Sequence, residues 1–235
     1  MPITTVMFDL DGTLLPMDQD EFIKDYFSRM VKKMAPHGYE PQKLIDTLWR
    51  GTGAAIKNDG SKSNEEVFWE VAFALNGEKI LKDKPIFDDF YVNEFDKIKA
   101  VCGFAPQAAE IVHSLKDRGY RVILATNPIF PAQATRWRIQ WAGLKPEDFE
   151  LYTTYENSRH CKPNLDYYRD IMEQFGLKGE ECVMVGNDVT EDMIAEKLGM
   201  KVFLLTDCII NKENLDISAY PHGGYDELKS FLDAI

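Results

Sequence analysis

The sequence predicts an α/β fold: a parallel sheet flanked by helices, with a smaller all-helical segment inserted after the first strand. Three observations carry that expectation. Short, almost wholly apolar runs recur at 3–8 ("ITTVMF"), 121–125 ("RVILA"), 182–186 ("CVMVG") and 201–205 ("KVFLL"), as strands covered on both faces do. Helical periods of about 10–15 residues separate the later runs, which is the alternation of right-handed βαβ units. Residues 16–100 hold no such run and read in helical style.

The elements follow in chain order. Residues 3–8 are β-branched and apolar, and form the first strand. In "DEFIKDYFSRMVKKM" the residues Phe22, Tyr26, Met30 and Met34 recur every fourth position, one face of a helix. "GTGAAIKNDGSKS" at 51–63 reads as a loop. Ser63 and Glu66 have the spacing of a capping box, so a helix starts there. With "LIDTLW" and "PIFDDFYVNEFDKI" the insert amounts to about four helices. Pro106 then opens a helix whose stripe is Ala108, Ile111, Val112 and Leu115, with Gly119 as its stop. After the strand at 121–125, "ELYTTYE" at 150–156 is a weaker, alternating strand. The segment 164–176 offers Tyr168, Ile171, Met172 and Phe175 to the core and ends at a glycine. "TEDMIAEKLGM" reads as a helix after the third strong strand, and "YDELKSFLDAI" as the last.

The 235 residues are 45% hydrophobic and 12% aromatic, enough for a packed core. No apolar run approaches the roughly 20 residues that span a bilayer. The start "MPITTVMFDL" has neither a basic segment nor a cleavage site, so no signal peptide is expected. Cys102, Cys161, Cys182 and Cys208 are scattered without a C-x-x-C pair, which suggests neither a zinc site nor a redox dithiol and fits a reducing cytoplasm. A net charge of −12 argues against nucleic acid and anionic membranes as partners. An acidic protein that handles an anion then needs a local positive device.

The unusual polar residues fall at the ends of the strands. Asp9 and Asp11 follow the first, Thr126 and Asn127 the second, Asn187 and Asp188 the one at 182–186. In open α/β sheets the carboxyl ends of the strands border the ligand crevice. Lys162 lies just before a helix that Pro163 and Asn164 start, and can reach the same edge. Asp192 stands one helical turn beyond Asp188. Carboxylates gathered this closely do not all stay ionised unaided. A divalent cation removes the conflict, and hard oxygen ligands select Mg²⁺ over zinc. The metal and Lys162 together make a positive pocket in a negative protein.

"DLDGT", a helical insert, a strand ending in "TN", a lysine before a helix and "GNDVTED" occur in that order over nearly the whole chain. The combination resembles the haloacid dehalogenase superfamily of hydrolases, in the phosphatase branch with a helical cap after the first motif. The resemblance implies a Rossmann-like parallel sheet core formed by residues 1–15 and 101–235, and a cap formed by residues 16–100 that closes over the site. By the same resemblance Asp9 would be the nucleophile and Asp11 the general acid and then base. Thr126, with Asn127 and backbone amides, would bind the phosphoryl group, and Lys162 would neutralise Asp9 and the phosphate. Mg²⁺ would be held by Asp9, the backbone carbonyl of Asp11 and Asp188, with Asp192 as an outer carboxylate toward metal-bound water or Lys162. The dehalogenase branch lacks an acid at the position of Asp11, because a carbon–halogen bond needs no protonated leaving group, so "DLD" points to phosphate esters.

The implied activity is hydrolysis of a small phosphorylated metabolite. A phosphomutase and a non-catalytic phosphate-binding protein stay open beside it, as do monomer and homodimer. Arg50, Thr52 and Lys57 are candidates for the substrate's polar end. His160 and Cys161, beside Lys162, match no role in the resemblance. Two positions depart from the pattern. Asn187 stands where a glycine is common, and both residues tolerate a left-handed backbone. The lead-in "LLPMDQDEF" differs from the usual short hinge.

Overall fold

The structure, a computed structural model, describes residues 2–235. Six parallel strands form one sheet in the order β3-β2-β1-β4-β5-β6. They are β1 (Thr5–Phe8), β2 (Arg121–Leu124), β3 (Leu151–Tyr152), β4 (Cys182–Gly186), β5 (Lys201–Leu205) and β6 (His222–Gly223). β1 is central, with Thr5 to Phe8 in register against both Arg121–Leu124 and Cys182–Val185. Its four residues are all buried, so its apolar run has no polar alternation. Val6, Phe8, Val122, Leu124, Val183 and Val185 line one face, while Met7, Ile123, Met184, Val202 and Leu204 line the other. This is the two-residue period of a pleated strand.

Among the described residues nine α-helices accompany the sheet: α1 (Gln19–Met34), α2 (Pro41–Ile56), α3 (Asn64–Asn76), α4 (Glu78–Lys82), α5 (Lys84–Asn93), α6 (Pro106–Asp117), α7 (Ala132–Trp141), α8 (Leu165–Phe175) and α9 (Tyr225–Asp233). The first five lie between β1 and β2 and make up the helical insert. The stripe Phe22, Tyr26, Met30 and Met34 is buried as its spacing requires. Pro16 accepts from the Gly103 amide at 2.7 Å, and Met17 bridges Cys102, so the chain enters and leaves the insert through one narrow neck. The insert does not bury a core of its own. Its apolar residues join one cluster with Phe8, Leu124 and Phe203 of the sheet.

Several boundaries differ from the sequence expectation. The segment at 51–63 is a loop only after Ile56, because α2 runs through both glycines. Gly51 is a packing position there: a Cβ would lie 2.6 Å from the Phe68 ring of α3. The helix expected in "TEDMIAEKLGM" is a tight 3-10 helix, Met193–Leu198. Asp188 Oδ1 accepts from the Thr190 and Glu191 amides and holds that stretch in turns. β3 spans two residues rather than the whole of 150–156, and pairs only with β2. Among the described residues the insert carries five α-helices and two 3-10 helices, Ala35–His37 and Phe95–Val101, rather than about four helices. Among the described residues, no helix is long and apolar enough to cross a membrane.

The start of α3 follows the sequence closely. Ser63 and Glu66 exchange bonds as a capping box, Glu66 N to Ser63 Oγ at 3.2 Å and Ser63 N to Glu66 Oε2 at 2.8 Å. Ser63→Ala is expected to lower the unfolding free energy by about 1 kcal/mol. In urea this reads as a lower midpoint at unchanged slope; an unmoved midpoint contradicts it.

Candidate active site

Strand order reverses direction between β1 and β4, so the loops after these two strands open a crevice at the sheet's carboxyl edge. Asp9 is the first residue beyond β1, and its amide still bonds Val185 O at 2.9 Å. That bond fixes its backbone to β4. The turn that follows needs Gly12, whose φ is +87° and whose Cβ would lie 2.3 Å from Asn187 Nδ2. Thr13 then donates its hydroxyl to both Asp9 Oδ2 (3.1 Å) and Asn187 Oδ1 (3.0 Å), joining the two loops.

Lys162 comes from the other side of the sheet, two residues before Asn164 caps α8. Its side chain is 1% exposed. Nζ donates to Asp9 Oδ1 at 3.0 Å and to Asp192 Oδ1 at 2.6 Å. Asp192 Oδ2 accepts from the Asp188 amide at 3.0 Å, so both of its oxygens act as acceptors, the role of the ionised form. A Cβ on Gly186 would lie 2.1 Å from that oxygen, so glycine at this position makes room for the Asp192 carboxylate. Burial pulls the Lys162 ammonium down, but Asp192 and Asp9 outweigh it and hold the group well above its ordinary value. Burial likewise pushes Asp192 up, and Lys162 opposes it.

Thr126 and Asn127 follow β2. The Thr126 carbonyl accepts from the Tyr167 hydroxyl at 2.9 Å and from Thr153, which sets the loop. Asn127 Nδ2 donates to Glu191 Oε2 at 3.0 Å, while its Oδ1 is buried and has no partner among the described residues. Burial, and then the neighbouring Asp192, Asp188 and Asp9, push Glu191 up to about 7, with Lys162 acting the other way. Asp11 is held from a different element, α7. Its Oδ2 accepts from Arg138 of α7, and its Oδ1 is buried and unpartnered among the described residues. Burial raises its pKa above the usual carboxylate value, Arg138 opposes that, and Asp9 adds to it.

Asp9, Asp11, Asp188, Glu191 and Asp192 thus face Lys162 and Arg138 as the nearby cations. That leaves surplus negative charge and a buried carboxylate oxygen without a donor, a setting that fits a cation. Among the described residues no three Asp, Glu, His or Cys side chains converge as a ready-made metal cage. Few protein carboxylates, completed by a carbonyl and water, is the Mg²⁺ pattern rather than that of zinc.

Other positions flagged by the sequence lie elsewhere. Arg50 is exposed and pairs with Asp46 one turn earlier at 2.9 Å. Thr52 lines an apolar cavity with Trp49, Phe68 and Trp69, and Lys57 ends α2 at the surface. His160 bonds Asp170 through Nδ1 at 2.7 Å and abuts Gly60 of the insert. Asn187 does not use a left-handed backbone; it takes the Thr13 hydroxyl and donates to Cys208 O at 2.7 Å. Sequence reasoning missed Thr13, Arg138, Tyr167 and Glu191, and it missed Asn64. Wholly buried at the start of α3, Asn64 donates to Pro128 O (3.2 Å) and contacts Cys161 Sγ (3.3 Å). It staples the insert to the loops that carry Thr126 and Lys162.

A doubly wound sheet with a buried lysine between two carboxylates at its switch point is the place and kind of crevice in which α/β enzymes carry their active sites. The chain belongs to the haloacid dehalogenase-like hydrolase family, whose model matches residues 3–198. A Bacillus cereus relative, pyrophosphatase PpaX, is 25% identical over 86% of this chain and 82% of its own. A Haemophilus somnus structure described as a predicted phosphoglycolate phosphatase superposes with a TM-score of 0.61 at 17% identity, over 98% of each chain. A 2-haloacid dehalogenase from Pseudomonas syringae gives 0.64 at 16% identity, over 99% of each. At these identities the two structures share the fold.

Proposed function

We propose that this hydrolase is a Mg²⁺-dependent phosphatase for a small phosphorylated metabolite, working through an aspartyl-phosphate on Asp9. The observation that carries this reading is Asp9 itself: a carboxylate at the switch point, fixed by Lys162 on one oxygen and Thr13 on the other. A carboxylate so held has one defined direction of attack. One of its oxygens bonds phosphorus as the bond from phosphorus to the leaving oxygen breaks. Asp11 delivers a proton to that oxygen, then takes one from the water that releases phosphate from Asp9. Thr126 and Asn127 bind the phosphoryl oxygens, and Lys162 balances their charge. Asp9, Asp188 and the Asp11 carbonyl would hold Mg²⁺, which when bound neutralises negative charge on the reacting group, with Asp192 fixing the lysine beside it. The acid at Asp11 supports phosphate esters over carbon–halogen bonds. Residues 16–100 act as the cap over the site.

The test is hydrolysis of p-nitrophenyl phosphate and of a metabolite panel, with Mg²⁺ and with chelator. Inorganic pyrophosphate belongs on that panel because of the name carried by the Bacillus relatives. Metal-dependent release of phosphate supports the reading. Transfer of labelled phosphate to a second position of the product would instead mark a phosphomutase. Tight binding of phosphate esters without turnover would mark a binding protein.

A further inference from the structure

Arg138 stands where the pattern of α7 asks for an apolar residue. It shares the buried face of that helix with Ala134, Thr135, Ile139 and Trp141 and is 1% exposed. A buried guanidinium is costly unless it is paired and hydrogen-bonded. This one is paired, and each of its three nitrogens has an acceptor. Nε donates to the Ala134 carbonyl at 3.3 Å, Nη2 to the Thr135 hydroxyl at 3.2 Å, and Nη1 to Asp11 Oδ2. The Phe130 ring covers the guanidinium at 4.7 Å.

The insert in turn holds α7. Trp137 Nε1 donates to Tyr91 O at 2.9 Å, and Trp141 Nε1 to Asp96 Oδ1 at 2.8 Å. The Trp141 ring stacks on Phe95 at 5.6 Å. Phe130 meets Phe22, Tyr26 and Phe95 edge-on, all from the insert. The arginine that grips Asp11 is therefore packed between the sheet and the insert, whereas Asp9 is gripped by Lys162 and Thr13 of the core alone.

We infer that Arg138 is a positioning residue for Asp11: it fixes where the acid–base carboxylate lies, from a helix that the insert holds in place. This rests on the phosphatase reading above. An untethered aspartate samples several rotamers, and proton transfer depends on hydrogen-bond reach of the leaving oxygen. The planar fork of arginine restricts that sampling, which a lysine ammonium does not reproduce.

A double-mutant cycle on two leaving groups tests it. Arg138→Gln, Arg138→Lys, Asp11→Asn and the Arg138→Gln/Asp11→Asn pair are assayed on p-nitrophenyl phosphate and on the best alkyl phosphate of a metabolite panel. An alkoxide leaves poorly unless protonated, whereas a nitrophenolate leaves readily, so Asp11 matters most for the alkyl ester. Arg138→Gln is expected to cut kcat on the alkyl phosphate by about 100-fold at little change in KM, and on the nitrophenyl ester by less than about 10-fold. Arg138→Lys recovers part of the loss. In the Asp11→Asn background Arg138→Gln adds nothing further. Equal losses on both esters, or full additivity in the pair, overturn the inference. If Arg138→Gln does not fold, Arg138→Lys carries the same comparison with a smaller difference between the esters. No turnover by the wild type overturns the phosphatase reading and this one with it; wild-type turnover with equal losses overturns this one alone.

Discussion

Asp9→Asn is expected to remove turnover, with a loss on the order of 10⁴-fold or more, the scale seen when a covalent nucleophile is deleted. The expectation is separable from unfolding. An amide has nearly the same shape as the carboxylate, and its oxygen can still accept from Lys162. The Thr13 hydroxyl can turn to accept from the new NH₂ while still donating to Asn187 Oδ1, which lies 3.0 Å away. Lys162 keeps Asp192 at 2.6 Å. The urea midpoint should therefore move little while kcat collapses. Activity within about tenfold of wild type would sink the covalent mechanism, since no other side chain in the cluster is held in an equivalent position.

Lys162→Met is expected to have the largest effect on stability. Lys162 and Asp192 are both 1% exposed, and Asp9 is nearly as enclosed. Removing the ammonium leaves two buried carboxylates facing each other without a donor between them. Breaking a buried pair from one side costs about 3–5 kcal/mol, a large share of the roughly 5–15 kcal/mol that keeps a domain folded. Adding Asp192→Asn removes one stranded charge and should return part of the loss, so the double variant unfolds at higher urea than the single one. The check is equilibrium unfolding of wild type, Lys162→Met and the pair. A loss below about 1 kcal/mol in the single variant, or a double variant less stable than the single, contradicts the ion-pair account. The single variant should also lose turnover, because Asp9 loses the cation that aligns it.

The strands were legible because burial on both faces leaves almost only apolar residues in "TVMF" and "CVMVG". Once the strands are placed, the residues just past them must share one edge, which is why Asp9, Thr126 and Asp188 could be grouped from sequence. Lys162 was legible as a residue near that edge, but its two carboxylate partners are a fact of packing. Arg138 was not legible. In "QATRWRIQW" an arginine defaults to solvent, and only the burial of Ala134, Ile139 and Trp141 on the same face reveals it as internal. Asn64 reads in sequence as an ordinary helix-start residue; its buried contacts with Pro128 and Cys161 join positions far apart in the chain. Gly51 and Gly53 looked like loop formers because glycine is a poor helix residue, yet α2 runs through both, and at Gly51 the missing side chain admits the Phe68 ring.

The central place of β1 in the sheet bears on how the chain is made. Thr5 pairs with Arg121 and Cys182 and with nothing nearer in sequence. At about 5–20 residues per second of synthesis, the ribosome needs roughly 6 to 23 s to reach the first of those partners after β1 has been made. Throughout that interval an uncharged, mostly apolar strand has both edges bare, the condition that invites strand-to-strand association between chains. The five helices of the insert are what emerges meanwhile, and Phe22, Tyr26 and Phe95 belong to the same apolar cluster as Phe8. The insert thus provides the first apolar surface against which the waiting strand can shelter during its own biosynthesis.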